Sequence, residues 1–200
     1  MIHESAPWKD RLAKDAALVA RWASKTRHSE RRSVLIEQKV FLAAYVMRKL
    51  LEAGKLSSSF DGLALQIDAI PLRPGKRVDR HSRYDLPGLY DFDRTTRKNV
   101  AAPVLLDLII HSLIFAEVAR EDDSIEGFFV TSDRKSSALW MVEIDRFIAL
   151  MRSVANDYPS SVRFVRNAET GESAEWRGAG EPPAQIGAKM NRIARSNRKA

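Results

Sequence analysis

The sequence predicts an α+β fold: an N-terminal helical pair packed on a mostly antiparallel sheet of hairpins, with two further helices. Three observations lead there. Two long helical patterns open the chain before any strand pattern begins. The later apolar runs come in adjacent pairs separated by short turns, which is hairpin order rather than βαβ alternation. Finally, 200 residues at 44% hydrophobic and 30% charged carry enough apolar surface for a real core.

The first helix is expected over residues 8–24. Pro7 suits its opening turn. Trp8, Leu12, Leu18, Val19 and Trp22 then recur at helical intervals, and both tryptophans read as core packing. A second helix is expected from Ser29, a good N-cap, to Ala53, with Gly54 in the C′ position. Val34, Leu35, Gln38, Phe41, Leu42, Tyr45, Val46, Lys49 and Leu50 trace its expected core side. The short link at 25–28 favours an antiparallel pair.

A strand follows at 63–70, where Leu63, Leu65, Ile67 and Ala69 alternate with Ala64, Gln66 and Asp68. Pro71 and Pro74 favour an extended exit. Residues 73–98 lack periodicity and read as a long loop, of the kind that is either functional or disordered. Asn99 is expected to cap a helix through Ser112, with Pro103 near its first turn. Residues 113–120 and 126–132 flank the turn-like Glu-Asp-Asp-Ser and form a hairpin. Residues 138–142 fit either a third strand or a helix start. Ile144, Phe147, Ile148, Met151 and Val154 define another helix, closed by Asp157 and Pro159. Residues 162–176 form a second hairpin, expected to join the same sheet. The domain is therefore assigned to residues 1–176. Residues 177–200, set off by Gly178, Gly180, Pro182 and Pro183, read as a basic, disordered tail.

Composition excludes several classes. The chain has no cysteine, so it has no disulfide, thiolate metal site or cysteine nucleophile. That fits a reducing compartment, and with no apolar leader the expected location is cytoplasmic. The longest apolar run, residues 40–47, is far short of the ~20 residues a membrane helix needs, so no membrane partner is expected. P-loop, Rossmann, HExxH, EF-hand and GxSxG patterns are absent, and no cofactor is expected. Oligomeric state is not legible.

The net charge of +7 is uneven. Residues 1–33 hold eight Lys/Arg against four Asp/Glu, and residues 177–200 hold six against one. The remaining 143 residues hold nineteen against twenty-one. Basic ends on a neutral body suit a polyanion. Within residues 73–98, Arg73, Lys76, Arg77, Arg80, His81 and Arg83 precede Tyr84, Tyr90 and Phe92. Arginines neutralise phosphates, and aromatic rings stack on bases. Arg73, Lys76, Arg77, Arg80, Arg83 and Tyr84 are therefore the candidate nucleic-acid contacts, joined by Lys189, Arg192, Arg195, Arg198 and Lys199 of the tail. If that tail becomes helical, Ile186, Met190 and Ile193 form an apolar stripe beside the basic one.

Two weaker constellations carry chemistry. Asp107 and His111 are four apart on a helix and share a face, which suits a base with its orienter or half a metal site. A satisfied polar pair at the core edge uses the same spacing. Asp91 and Asp93 form a DxD spacing that magnesium sites use, and that salt bridges to Arg94 or Arg97 use equally. Ser132 and Asp133 read as turn chemistry before Arg134 and Lys135. The leading expectation is a nucleic-acid-associated binding protein or assembly subunit. The alternatives are a metal-assisted phosphate-ester enzyme and a pure protein–protein interaction module.

Overall fold

The computed structural model describes residues 2–133 and 136–196. Two helices open it: α1 (Ala6–Ala23) and α2 (Glu30–Glu52). Gly54 ends α2 at a φ of +64°, where Lys55 N–H reaches back to the Leu50 carbonyl at 3.0 Å. This is the expected glycine closure, since the left-handed turn costs a side-chain-bearing residue more. Then come β1 (Ala64–Pro71), the one-turn α3 (Leu86–Leu89), β2 (Thr96–Ala101) and α4 (Ala102–Ile110). The chain continues through β3 (Ser112–Ala119), β4 (Ile125–Ser132), β5 (Ala138–Glu143) and α5 (Ile144–Ala155). It finishes with β6 (Ser161–Arg166), β7 (Ser173–Gly178) and α6 (Ala184–Ser196).

Strands β1–β5 form one antiparallel sheet in the order β2-β1-β5-β4-β3. The fold is α+β, as the order of patterns predicts. Helices α1, α2, α4 and α5 cover one face, and their core joins Val40, Met47, Leu105, Phe128, Val142 and Phe147. Phe128 is stacked on Phe115 at 5.0 Å and meets Phe147 edge-on at 5.6 Å. Gly127 permits the close strand contact beside them, because a Cβ there would lie 2.2 Å from the Val142 carbonyl oxygen. Among the described residues no helix is long and apolar enough to cross a membrane.

Lys9 is 1% exposed, an unusual fate for an ammonium. It donates to the Lys55 carbonyl at 2.9 Å and to the Asp157 carbonyl, and lies 4.4 Å from the Tyr158 ring centroid. Burial pushes its pKa down, against the opposing pull of Asp157.

Five expectations are corrected. The pair β6–β7 forms its own two-stranded sheet rather than extending the main one. Residues 96–101 are strand β2, and the following helix starts at Ala102 rather than Asn99. This strand sits at a sheet edge with five of its six side chains exposed, so it shows no apolar alternation. The core face of α2 is Ile36, Val40, Ala43, Ala44, Met47 and Leu50. Val34, Leu42 and Tyr45 face solvent instead, Phe41 is only partly buried, and Trp8 is exposed. The segment read as a disordered tail is helical over Ala184–Ser196 and buries Met190 and Ile193 against Ala174 and Trp176. The expected apolar stripe is present, and the hairpin gives it a surface to cover.

Candidate functional site

The chain between β1 and β2 lies over the sheet face that the helices leave open. Leu72 bridges Tyr90, Arg73 N–H donates to Leu89 at 2.8 Å, and Asp91 N–H donates to Pro71 at 2.9 Å. Val78, Leu89 and Tyr90 pack there on Ile70, Ile114 and Leu139. Tyr90 is fully buried, and its hydroxyl donates to the Ser136 carbonyl at 3.3 Å. Burial pushes its pKa up to about 12, against a hydrogen bond with Thr131. Phe92 meets Phe129 edge-on at 5.7 Å. Of the three aromatics considered for base stacking, Tyr90 is therefore spent in the core and Phe92 is held against the sheet.

The outer part of the segment is closed by its own polar groups. The Asp79 carboxylate accepts from the Ser82 and His81 amides at 2.8 Å each, which holds its pKa below the usual carboxylate range. Asp85 accepts from Gly88 N–H at 3.1 Å and so caps α3. These bonds present Tyr84 with 76% of its surface exposed. The Arg83 guanidinium lies 4.8 Å from the Tyr84 ring centroid and donates to its hydroxyl at 2.6 Å.

The loop's cations divide into two groups. Arg73 approaches Asp91 at 3.7 Å and donates to the Pro87 carbonyl at 3.2 Å. Arg97 pairs with Asp68 at 2.8 Å and Glu143 at 3.4 Å. Lys76, Arg77 and Arg80 are exposed and enter no ion pair among the described residues. In α6, Arg192 is held by Glu172 at 2.7 Å, while Lys189 and Arg195 are exposed. Arg198 and Lys199 lie outside the described residues, as do Arg134 and Lys135.

Beside Arg80 lies an open cleft of about 1000 Å³ between α2, the C-terminal end of α4 and the ends of β3 and β4. Asp107 and His111 both line it, as their helical spacing predicts. So do Ser132, Asp133, Tyr45, Arg48 and Lys49. Arg48 reaches Asp107 at 3.4 Å and Glu52 at 2.8 Å, and Lys49 reaches Glu52 at 2.8 Å. The cleft thus carries both signs of charge, already cross-linked by ion pairs. Asp91 and Asp93 do not line it, so the four enzyme candidates do not converge. Asp91 is turned to Arg73 rather than to Arg94 or Arg97. Among the described residues no group of three His, Asp or Glu side chains could hold a metal ion. Tyr45 and Lys49 were hidden in the sequence because a helix-face reading assigned them to the core, and no local pattern ties Arg48 to Asp107, 59 residues further on.

No protein-family model, curated protein or solved structure matches the chain.

Proposed function

We propose that the protein binds single-stranded nucleic acid without strong sequence preference, through the loop between β1 and β2. One observation carries this reading: an exposed tyrosine paired with Arg83 stands in a segment with three exposed cations, Lys76, Arg77 and Arg80, that no acidic side chain among the described residues neutralises. A ring with a free face can stack on any base, and free cations displace condensed counterions from phosphates. Intramolecular ion pairs do neither, which removes Arg73 from the contact set. Lys189 and Arg195 on α6 supply further basic surface. The cleft beside Arg80 lies next to the path of a bound strand, and its ion pairs give it both donors and acceptors for sugar and base edges.

The test is fluorescence anisotropy with a mixed-sequence single-stranded oligonucleotide across a salt series. Changing Lys76, Arg77 and Arg80 together to Ala lowers the log–log salt slope by about 2, at ~0.7 per phosphate contact on a single strand. Tyr84→Ala weakens binding by about 1–3 kcal/mol, the range for one stacked base. Unchanged affinity and slope in both variants assign the loop's charge to solubility and end this reading.

A further inference from the structure

A second cavity, of about 200 Å³, lies between the N-terminal half of α2, the β3–β4 hairpin and the first residue of α5. Its walls are Ile36, Ile125, Ile144, Phe115 and Phe128, and the two rings stack at 5.0 Å. An apolar cavity of ~150 Å³ already takes a benzene ring. The polar lining is Ser33, Glu37 and Glu117, without a lysine, arginine or histidine. Ser33 and Glu37 are one turn apart and share a face of α2. The Ser33 hydroxyl donates to Glu117 Oε1 at 3.2 Å, so both carboxylates come to one rim. Glu37 enters no ion pair among the described residues. Two arginines flank the site, but backbone carbonyls occupy them. Arg32 donates to the carbonyls of Lys25, Arg27 and Asp123 and stays 3.9 Å from Glu117. Arg120 donates to the Ile125 carbonyl at 3.0 Å. Residues 117–126 hold five carboxylates against Arg120 alone, in a chain whose net charge is +7. This corner of a basic protein therefore attracts cations.

We infer that this cavity binds a small primary amine in its ammonium form, with the hydrocarbon body against the apolar walls and the cation at Glu37 and Glu117. Mostly apolar walls with a few converging polar groups are the ordinary make-up of a small-molecule site. The carboxylates select a cation, and the walls select which kind. Two carboxylates are too few for a metal, and among the described residues no group of three His, Asp or Glu side chains could hold one. Apolar walls offer a hydrated ion nothing, whereas a hydrocarbon gains by leaving water. An ammonium brings three donors, and Glu37 together with the second oxygen of Glu117 can accept them. Each such bond is charge-assisted and stronger than a neutral one. The cavity shares no lining residue with the cleft beside Arg80 and takes none from residues 73–98, so the inference stands apart from nucleic-acid binding by the loop.

The full chain labelled at its isoleucine methyl groups reports the site directly in a nuclear magnetic resonance titration with 2-phenylethylamine. The methyls of Ile36, Ile125 and Ile144 are expected to shift and saturate. Those of Ile70 and Ile114, beneath the loop on the other face of the sheet, are expected to stay in place. The neutral 2-phenylethanol has the same body without the charge. It is expected to bind about tenfold more weakly, the worth of one hydrogen bond to a charged group. The anionic phenylacetate is expected not to bind. Glu37→Gln is expected to weaken the amine about tenfold as well. Its thermal melt should match that of the wild type, because residue 37 is exposed. Nα-acetyl-lysine amide presents the same cation as a peptide would, and is expected to bind more weakly, since two rings among the walls favour a ring over four methylenes. Isoleucine methyls that ignore millimolar amine overturn the inference. So does an alcohol that binds as tightly as the amine, or a Glu37→Gln protein with undiminished affinity. Tighter binding of the lysine derivative overturns the assignment to a free amine.

Discussion

The basic loop and the C-terminal helix both carry a surplus of arginine and lysine, yet they are supported in different ways. The loop rests on a sheet whose other face already holds the main core, and Tyr90 is its deepest anchor. Helix α6 rests on a two-stranded ribbon, and the small cluster of Ala174, Trp176, Met190 and Ile193 is what each contributes to the other. A two-stranded ribbon is marginal alone in water. The loop therefore closes the second face of a sheet whose first face is packed by helices, while the ribbon and α6 depend on each other.

Breaking the loop's anchor has the largest expected effect. Tyr90→Ala leaves a cavity where a fully buried ring sat, and costs about 3–5 kcal/mol in urea denaturation. Removing residues 179–200 tests the other side of the comparison. It exposes Trp176, so its fluorescence shifts to the red and hydrogen exchange accelerates across residues 161–178. The amides of β1, β4 and β5 keep their protection. Exchange that accelerates throughout would make α6 a support of the whole body rather than of the ribbon.

A smaller effect, at the same anchor, comes from pH. The phenol of Tyr90 is held protonated in the folded state up to about pH 12, above the ordinary value near 10. The folded state thus binds the extra proton between those values, and stability falls as pH rises through them. The loss reaches about 2–3 kcal/mol by pH 12, since each pK unit is worth 1.36 kcal/mol. Tyr90→Phe flattens this dependence, which denaturation at pH 9 through 12 measures. Last comes Phe41→Ala. Phe41 is partly buried and lies 5.0 Å from Phe115, so its cost falls below the ~3–5 kcal/mol of a fully buried phenylalanine.

The elements with strong periodicity were legible within two residues. Both long helices, the β3–β4 hairpin and α5 lie where their patterns put them. What failed was the assignment of faces and partners. In α2 the apolar residues run nearly all round the helix, so spacing alone could not say which side faced the sheet. Strand β2 was invisible because Thr96, Arg97, Lys98 and Asn99 are an edge strand's exposed residues. For the loop, the excess charge was legible, but its neutralisation was not. Arg73 and Arg97 meet Asp91 and Asp68, and the Arg97–Asp68 pairing spans 29 residues across a strand register no local pattern reveals. Tyr84 and Tyr90 are alike in sequence, and only the tertiary fold separates an exposed ring from an anchor.

The buried ammonium of Lys9 bears on the order in which the molecule is made. Its two carbonyl partners stand 46 and 148 residues further along the chain. A ribosome synthesises from the N-terminus, so α1 is complete long before Asp157 exists. Until then the charged end of Lys9 has no second carbonyl, and burying it would leave a donor unmet. Loop closure over such a distance is slow compared with local helix formation. The first helix of the chain is accordingly expected to be among the last locked in place, and the residue that locks it is the one whose burial looked most costly.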